Sequence, residues 1–307
     1  MLVAITGGAG FIGRTLVRCF ETEGWTVRSV LRRDFETGSV DAHIAGADVV
    51  VHAAGATRAP THTRLVASNV ALTARVVDAA RRGGARRIVF ISSQAAAGPA
   101  ASLDEPVSED AEPAPIEAYG RTKLAAERLV RDARDVSFVI VRPAAVYGPH
   151  DRDFLAMFRL AARGIAIHPG NRDQWISIVH VDDLARGVVL ASTHSNAIGR
   201  TFFVSNDQPV QWRDLFQSAA ESAGRQLRVD MEVPPWLVRA GAAAGDLVGH
   251  LTGRAGMLTS GKVALTAPRH WICSAARIRG ELGFSVDVPL RQGLTDTYQW
   301  YRTHGWL

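Results

Sequence analysis

Two side chains four residues apart, Tyr119 and Lys123 in the stretch Tyr119-Gly120-Arg121-Thr122-Lys123, have the chemistry to move a proton. At the start of a strongly helical run this spacing puts phenol and ammonium on one helix face, where the cation can hold the phenol's proton within reach of a substrate. Lysine is scarce in this chain. Of 35 Lys+Arg residues only Lys123 and Lys262 are lysine, so 33 are arginine. A compact ammonium that can lose its proton is kept where a permanently charged, planar guanidinium would not serve. That marks Lys123 as a catalytic candidate, although Tyr-x-x-x-Lys also occurs as a plain surface pair and the neighbouring motifs must decide.

Those motifs begin at the N-terminus. Leu2-Val3-Ala4-Ile5 is a short apolar run, Thr6-Gly7-Gly8-Ala9-Gly10-Phe11-Ile12-Gly13 follows it, and Arg14 to Glu23 has helical periodicity. Strand, glycine turn and helix in that order form a dinucleotide site. Gly7 turns tightly, Gly10 lets backbone approach a pyrophosphate at the helix N-terminus, and Gly13 permits close helix–strand packing. The next strand, Thr26 to Leu31, ends where an NAD site often carries an acid for the adenosine ribose. Here Leu31 is followed by Arg32 and Arg33. Two guanidiniums suit a 2′-phosphate, so NADP is favoured with NAD possible.

Asp48 to Gly55 reads as a buried parallel strand whose small exit residues Ala53, Ala54 and Gly55 leave room for a cofactor. His52 within it reads as a packed strand residue. Val66 to Arg82 reads as a crossover helix containing Asn69, followed by the strand Arg87–Ile91 and the polar exit Ser92-Ser93-Gln94. A hydroxyl at a strand's carboxyl end points into the ligand crevice, which makes Ser93 the candidate to hydrogen-bond a substrate oxygen, with Ser92 as alternative. Pro99 to Pro115, with five acidic residues and four prolines, describes an exposed loop. The helix bearing Tyr119 and Lys123 runs to about Arg134, and the strand Ser137 to Pro143 ends at crevice level, where Pro143 can support a nicotinamide face.

Beyond this point the chain reads as a helix over Asp151 to Gly164, strands at Trp175 to Val179 and Thr201 to Val204, and a helix over Val181 to Ser192 capped by Asp182 and Asp183. A further helix covers Trp212 to Gly224. Pro234 to Leu251 is either a lid over an apolar substrate or an ordinary packed helix. The fold class is therefore α/β, a doubly wound Rossmann-type parallel sheet formed by residues 1–150 and 176–206. A smaller, mostly C-terminal substrate-binding domain takes residues 151–175 and 207–307.

Composition agrees with an enzyme of this kind. The 307 residues are 47% hydrophobic, enough for a sizeable core. The net charge is +5 and the pI about 9.7, but the arginines are scattered among acids and form no basic block, which gives little support for a nucleic-acid partner. Cys19 and Cys273 make neither a metal-ligand cluster nor a disulfide framework, so no metal is expected and a reducing compartment is the simpler reading. No apolar run approaches the roughly 20 residues of a membrane span, and a cytoplasmic location is expected.

Taken together, these residues resemble the extended short-chain dehydrogenase/reductase family, the NAD(P)-dependent epimerase/dehydratase group. The resemblance rests on Thr6-Gly7-x-x-Gly10-Phe11-Ile12-Gly13, Ser92-Ser93, Tyr119-x-x-x-Lys123, Arg142-Pro143-x-x-Val146-Tyr147-Gly148-Pro149 and His180-Val181-Asp182-Asp183-Leu184-Ala185. It implies that Tyr119 is the general acid/base, that Lys123 lowers its pKa and holds the nicotinamide ribose, and that Ser93 polarises the reacting carbonyl or hydroxyl. It also implies a cofactor site containing Phe11, Ile12, Pro143 and Val146, and a homodimer through the helices Val66–Arg82 and Tyr119–Arg134. The family's nucleotide-sugar enzymes usually carry Asn where this chain has Ala145, and Arg-Asp-aromatic just before the His-Val-x-Asp element, where Ile176 to Val179 stand. Arg172-Asp173 lies four residues early. Losing those donors removes partners for a diphosphate. An NADP-dependent reductase acting on an apolar ketone or secondary alcohol is therefore favoured, with an epimerase or dehydratase for nucleotide sugars and a non-catalytic dinucleotide sensor as alternatives.

Overall fold

A computed structural model describes residues 1–252 and 263–307; Lys262 lies outside them. Six parallel strands form the central sheet: β1 (Leu2–Thr6), β2 (Thr26–Val30), β3 (Val49–His52), β4 (Arg87–Ile91), β5 (Ser137–Pro143) and β10 (Thr201–Val204), in the order β10-β5-β4-β3-β1-β2. Because β1 pairs with both β2 and β3, the strand order reverses there. Such a switch point opens a crevice at the strands' carboxyl ends.

The near-continuous apolar strand runs are explained by helices on both faces. Val3, Ile5, Val49, Val51, Val89 and Ile91 face one side, packed with Leu16 and Phe20 of α1 (Phe11–Thr22). Ala4, Val50, Ile88 and Phe90 face the other, where Val76, Val77 and Ala80 of α5 (Leu72–Arg82) and Ala126 and Val130 of α6 (Ala118–Asp132) cover them. The short α2 (Arg32–Glu36) and α3 (Val40–Ile44) fill the interval between β2 and β3. The crossover before β4 is longer than its periodicity suggests: α4 (His62–Val66) and α5 are joined by one π-helical turn, Ala67–Ala71.

A separate apolar cluster, including Tyr147, Phe158, Ile176, Phe216, Leu294 and Tyr301, lies outside the sheet's two faces. It gathers β6 (Ala145–Tyr147), α7 (Leu155–Ala161), β7 (Ile165–Pro169), β8 (Trp175–Ile176), α9 (Trp212–Ser222) and the final helix Leu290–Thr303. The helix expected over Asp151 to Gly164 is shorter because the Asp151 carboxylate accepts from Asp153 N and Phe154 N, each at 2.8 Å, and holds a turn ahead of α7. The strand expected over Trp175 to Val179 divides at Ser177. There β8 pairs with β11 (Val210–Gln211) and β13 (His270–Trp271), while β9 (Ile178–His180) pairs with β6, and the Ser177 hydroxyl accepts from Cys273 N at 3.1 Å.

The cap of α8 (Val181–Thr193) also differs from expectation. His180 is the N-cap, its Nδ1 accepting from Asp182 N at 3.3 Å. Asp182 instead pairs with Arg18, and the buried Asp183 accepts from Asp287 N at 3.0 Å, tying the C-terminal segment to the sheet. Likewise the acidic loop at Pro99–Pro115 is pinned: Val107 N donates to Ile272 O and Glu109 accepts from Phe203 N. After β12 (Val229–Val233), α10 (Pro235–Thr252) buries Val238 and Ala242 and exposes Trp236, Leu237, Leu247 and Val248. Among the described residues no helix is long and apolar enough to cross a membrane.

One buried ion pair ties β5 to α6. Arg142 donates to both oxygens of Glu127, at 2.9 and 2.7 Å, and Ser92 donates to the same carboxylate at 2.5 Å. Removing one partner of such a pair strands a charge in the core, whereas removing both does not. Arg142→Met is expected to lower unfolding stability by about 3 kcal/mol, and the double variant Glu127→Leu/Arg142→Met to recover most of it, as read by urea denaturation.

Candidate active site

The glycine turn after β1 is packed to the limit of backbone contact. Gly7 has φ +74°, a left-handed conformation open to glycine, and its carbonyl accepts from Gly10 N at 2.8 Å. A Cβ on Gly13 would sit 2.0 Å from the Gly7 oxygen, and one on Gly7 would sit 2.9 Å from the Ala54 backbone. The turn therefore lies against Ala53 and Ala54 at the exit of β3. Helix α1 begins at Phe11, with Ile12 and Gly13 in its first turn, and no side chain caps it at Gly10. An uncapped first turn beside a glycine cradle fits the phosphates of a dinucleotide.

Just beyond β2, Arg32 and Arg33 open α2 with side chains 93% and 78% exposed; Arg32 meets Glu36 at 3.1 Å. The nearest acid of this segment, Asp34, is turned inward and accepts from Leu31 N at 2.7 Å. Its other oxygen lies 3.8 Å from Arg33 Nε, and both guanidiniums stay on the outside. At the other side of the crevice Pro143 closes β5 opposite Val204, and Val146 lies in β6 opposite Val179.

Ser93, Tyr119 and Lys123 come together at the carboxyl end of β4. The Tyr119 phenol lies close enough to Ser93 for that side chain to favour its ionised form, and the Ser93 Oγ accepts from Ala95 N at 3.1 Å and so caps the short turn Gln94–Ala96. Ser92 is not at the site, being held by Glu127 as described above. The start of α6 is set by Glu117, whose carboxylate accepts from Tyr119 N and Gly120 N. Gly120 allows the helix to approach, since a Cβ there would lie 2.1 Å from the Ala95 oxygen. Lys123 is buried; its Nζ donates to Ile91 O at 2.6 Å and lies 4.1 Å from the centroid of the Phe90 ring.

Asn69, noted in the sequence only as part of a helix, organises this cluster. It sits in the π-helical turn, a feature frequent at functional sites. Its Oδ1 accepts from Ala56 N at 2.8 Å, and its Nδ2 donates to Ala56 O at 3.0 Å and to Thr122 Oγ1 at 2.9 Å. It thereby joins the loop after β3 to the helix of Tyr119. Its sequence signal was a polar, poor helix former inside an apolar crossover.

The electrostatics differ from what the family resemblance implies. Burial pushes the Tyr119 phenol up to about 12, opposed by the Ser93 hydrogen bond and reinforced by the charges of Glu117 and Asp153. Burial also brings Lys123 down to about 7, opposed by Glu127. Here Lys123 is directed to the Ile91 carbonyl and does not bring the phenol down. His52 is a packed strand residue, as expected: Nδ1 meets Thr6 Oγ1 at 2.7 Å, Nε2 meets Thr73 Oγ1 at 2.9 Å, and burial with the nearby Lys123 lowers its pKa to about 3.

A pocket of about 390 Å³ is walled by Phe154, Met157, Leu160, Trp212, Phe216 and Leu237; the one charged residue in its lining, Asp153, is also a charge that acts on Tyr119. Arg172 and Asp173 are engaged elsewhere, Arg172 beside Asp230 and Glu232 at 3.8 and 3.9 Å and Asp173 with Arg213 at 3.2 Å.

Sheet order, glycine cradle and Ser/Tyr/Lys cluster define a Rossmann-type, extended short-chain dehydrogenase/reductase. Residues 3–204 match the NAD dependent epimerase/dehydratase family, and the chain belongs to it. Relatives include a ceramide reductase of Caulobacter vibrioides (strain NA1000 / CB15N), 31% identical over all of this chain and 96% of that protein. Another is a UDP-glucose 4-epimerase of Vibrio cholerae, 29% identical over 97% of this chain and 94% of its own length. Among solved structures, MoeE5 in complex with UDP-glucuronic acid and NAD is 25% identical with a TM-score of 0.79, covering 99% of this chain and 100% of its own. NAD is thus bound in a structural neighbour.

A lysine whose pKa falls on folding binds fewer protons in the native than in the unfolded state between about 7 and 10.5. Its contribution to stability therefore rises with pH across that window. We expect the urea midpoint of the protein to gain less between pH 7 and pH 9 in Lys123→Met than in wild type.

Proposed function

We propose that the protein is an NADP-dependent oxidoreductase that reduces an apolar ketone to a secondary alcohol, or runs the reverse, with Ser93, Tyr119 and Lys123 as its catalytic residues. In this reading residues 1–150 and 176–206 hold the dinucleotide and residues 151–175 and 207–307 hold the substrate, in a homodimer built through α5 and α6. The observation that carries it is the gathering of Ser93, Tyr119 and a buried Lys123 at the carboxyl end of β4, with Lys123 Nζ on Ile91 O and an apolar pocket whose one acid acts on the phenol.

The bound nicotinamide supplies the hydride in such chemistry. The chain's own groups handle the oxygen and the proton. Ser93 donates a hydrogen bond to the carbonyl oxygen, and Tyr119 gives it a proton as hydride reaches the carbon. A phenol raised to about 12 is protonated at neutral pH, which suits a proton donor and so supports reduction as the working direction. Lys123, near neutrality in its pKa, can return a proton to the phenolate or hydrogen-bond the ribose. Gly7, Gly10, Phe11, Ile12 and Gly13 cradle the phosphates, Ala53, Ala54 and Gly55 leave space behind them, Pro143 and Val146 line the nicotinamide end, and Arg32 and Arg33 take the 2′-phosphate.

The likeness to a ceramide reductase supports an apolar substrate. The likeness to a UDP-glucose 4-epimerase supports the alternative of a nucleotide sugar turned over without net cofactor consumption. Against the alternative stand Ala145 in place of an amide and the engagement of Arg172 and Asp173 in ion pairs.

Net NADPH oxidation against apolar ketones and against nucleotide sugars separates the two. Stoichiometric loss with a ketone, falling about 1,000-fold in Tyr119→Phe, is expected. A nucleotide sugar converted with no net loss would replace this reading by the epimerase, and full function in Tyr119→Phe would leave a dinucleotide sensor. For the cofactor, the double variant Arg32→Ser/Arg33→Ser should weaken NADPH at least about 10-fold while changing NADH little, because each lost charged contact to phosphate is worth about 1.5–3 kcal/mol. Equal losses for both cofactors would reject the 2′-phosphate assignment.

A further inference from the structure

Among the described residues eleven large apolar side chains are exposed, and six of them fall between Val229 and Val248. Helical spacing in α10 puts Trp236, Leu237, Leu247 and Val248 on one face with Ala240 and Ala244 between them, while Arg239 and Asp246 fall together on one flank. The opposite side buries Val238 and Ala242, so the helix is seated with an apolar face outward: Trp236 is 68% exposed and Leu247 62%. A contiguous apolar face of this kind marks a contact surface.

Strand β12 extends this surface. Side chains alternate along it, so Val229, Met231 and Val233 share a face, and the parallel register with β7 adds Ile165, Ile167 and Pro169. Val229 and Met231 are exposed, whereas Val233, Ile167 and Pro169 line the apolar pocket together with Leu237 and Val238 of α10. One apolar surface thus runs from the outside of the molecule into the pocket. The acids of β12 alternate with these residues and are already partnered: Asp230 meets His168 at 2.9 Å, and Glu232 lies 3.9 Å from Arg172. Cations stand at its border. Arg163 and Arg228 sit just ahead of β7 and β12, where Arg228 N donates to Gly164 O at 2.8 Å, and Arg225 lies three residues before Arg228. These three and Arg239 are exposed and make no ion pair among the described residues.

We propose that α10 and the outer part of β12 form a docking surface for an anionic lipid bilayer, with Trp236, Leu247 and Val248 in the acyl boundary and Arg163, Arg225, Arg228 and Arg239 on lipid phosphates. The proposal goes beyond the oxidoreductase reading and stands without it. A bilayer answers both halves of the surface at once, hydrocarbon against the apolar face and phosphate against the unpaired guanidiniums. Tryptophan at the edge of such a face suits the level of the head groups. The net charge of +5 draws the chain the same way. A second copy docked through the same face would instead bring these arginines against their own like. The helix lies on the bilayer and does not span it. In that position the pocket edge at Leu237 faces the acyl layer, and an apolar molecule dissolved there reaches the pocket without crossing water.

Co-sedimentation of the whole chain with vesicles of equimolar phosphatidylglycerol and phosphatidylcholine, set against vesicles of phosphatidylcholine alone, tests this. Wild type is expected to partition onto the anionic vesicles at least about 10-fold more strongly, the difference shrinking as salt is added. Trp236→Ser/Leu247→Ser should lower partition onto both kinds of vesicle about 100-fold, because two apolar side chains lose their transfer out of water. Arg225→Ser/Arg228→Ser should lower it about 10-fold on the anionic vesicles and leave phosphatidylcholine alone unaffected. Both variants replace exposed side chains, and an unchanged urea midpoint verifies that each is folded. No sedimentation of wild type with anionic vesicles, or sedimentation that either variant leaves unchanged, would overturn the proposal. So would a wild-type dimer that Trp236→Ser/Leu247→Ser splits while the vesicles bind nothing, which would give the face to a second copy. None of these readouts involves NADPH oxidation, so the reductase reading stands or falls separately.

Discussion

The site depends on how closely the N-terminus of α6 comes to the turn that follows β4. At Gly120 only a hydrogen fits, because a Cβ would penetrate to 2.1 Å from the Ala95 carbonyl. A helix kept away by one methyl group would carry Tyr119 away from Ser93. The approach is stabilised from both ends. Glu117 caps the helix start with its carboxylate, and Asn69 grips Thr122 from the crossover helix, so the phenol's position follows from backbone contacts and not from its own side-chain freedom. Rigid placement of this kind is what catalysis at a proton-transfer distance requires.

Burial then decides the charge states. In water a phenol and an ammonium four residues apart would both stay protonated. In this cluster desolvation acts on each against its charged form, raising the phenol and lowering the amine, and it outweighs the opposing effects of Ser93 on the phenol and of Glu127 on the amine. The consequence is a phenol held in its neutral form on the same helix face as an amine whose pKa is brought down to about 7. The same burial requires the Glu127 carboxylate to be partnered, by Arg142, Arg131 and Ser92 together, so the ion pair behind the site and the neutral groups within it have one cause.

Much of this was legible in the amino-acid pattern because sterics leave few alternatives. Gly7 needs positive φ and Gly13 must lie against a carbonyl, so Thr6 to Gly13 can be read as a phosphate-binding turn from residue types alone. Continuous runs such as Val49-Val50-Val51 announce strands buried on both faces, and the parallel sheet followed. What could not be read was set by partners distant in the chain. Ser92 and Ser93 look alike until Glu127, 35 residues on, claims the first. Asp182 looks like a helix cap until Arg18 claims it, and the strand through Ser177 looks continuous until Cys273 reaches its hydroxyl. Local pattern reports propensity; tertiary competition for each hydrogen bond decides the outcome.

The same reasoning explains why a family-level fold leaves room for different substrates. The cradle and the Ser/Tyr/Lys cluster sit on the strand ends of a sheet whose geometry is fixed by packing on two faces. The apolar pocket is lined from α7, α9 and α10 and by Asp153, none of which contributes to that sheet core. Changes there alter the pocket without moving the phenol. Here those parts present aromatic and aliphatic walls with a single acid at one end, while Arg172 and Asp173 are consumed by neighbouring charges. A diphosphate needs several uncommitted donors, and an apolar chain needs none. In the proposed reading, the arrangement of charges around the pocket is what separates substrate classes that the Ser/Tyr/Lys cluster itself would treat alike.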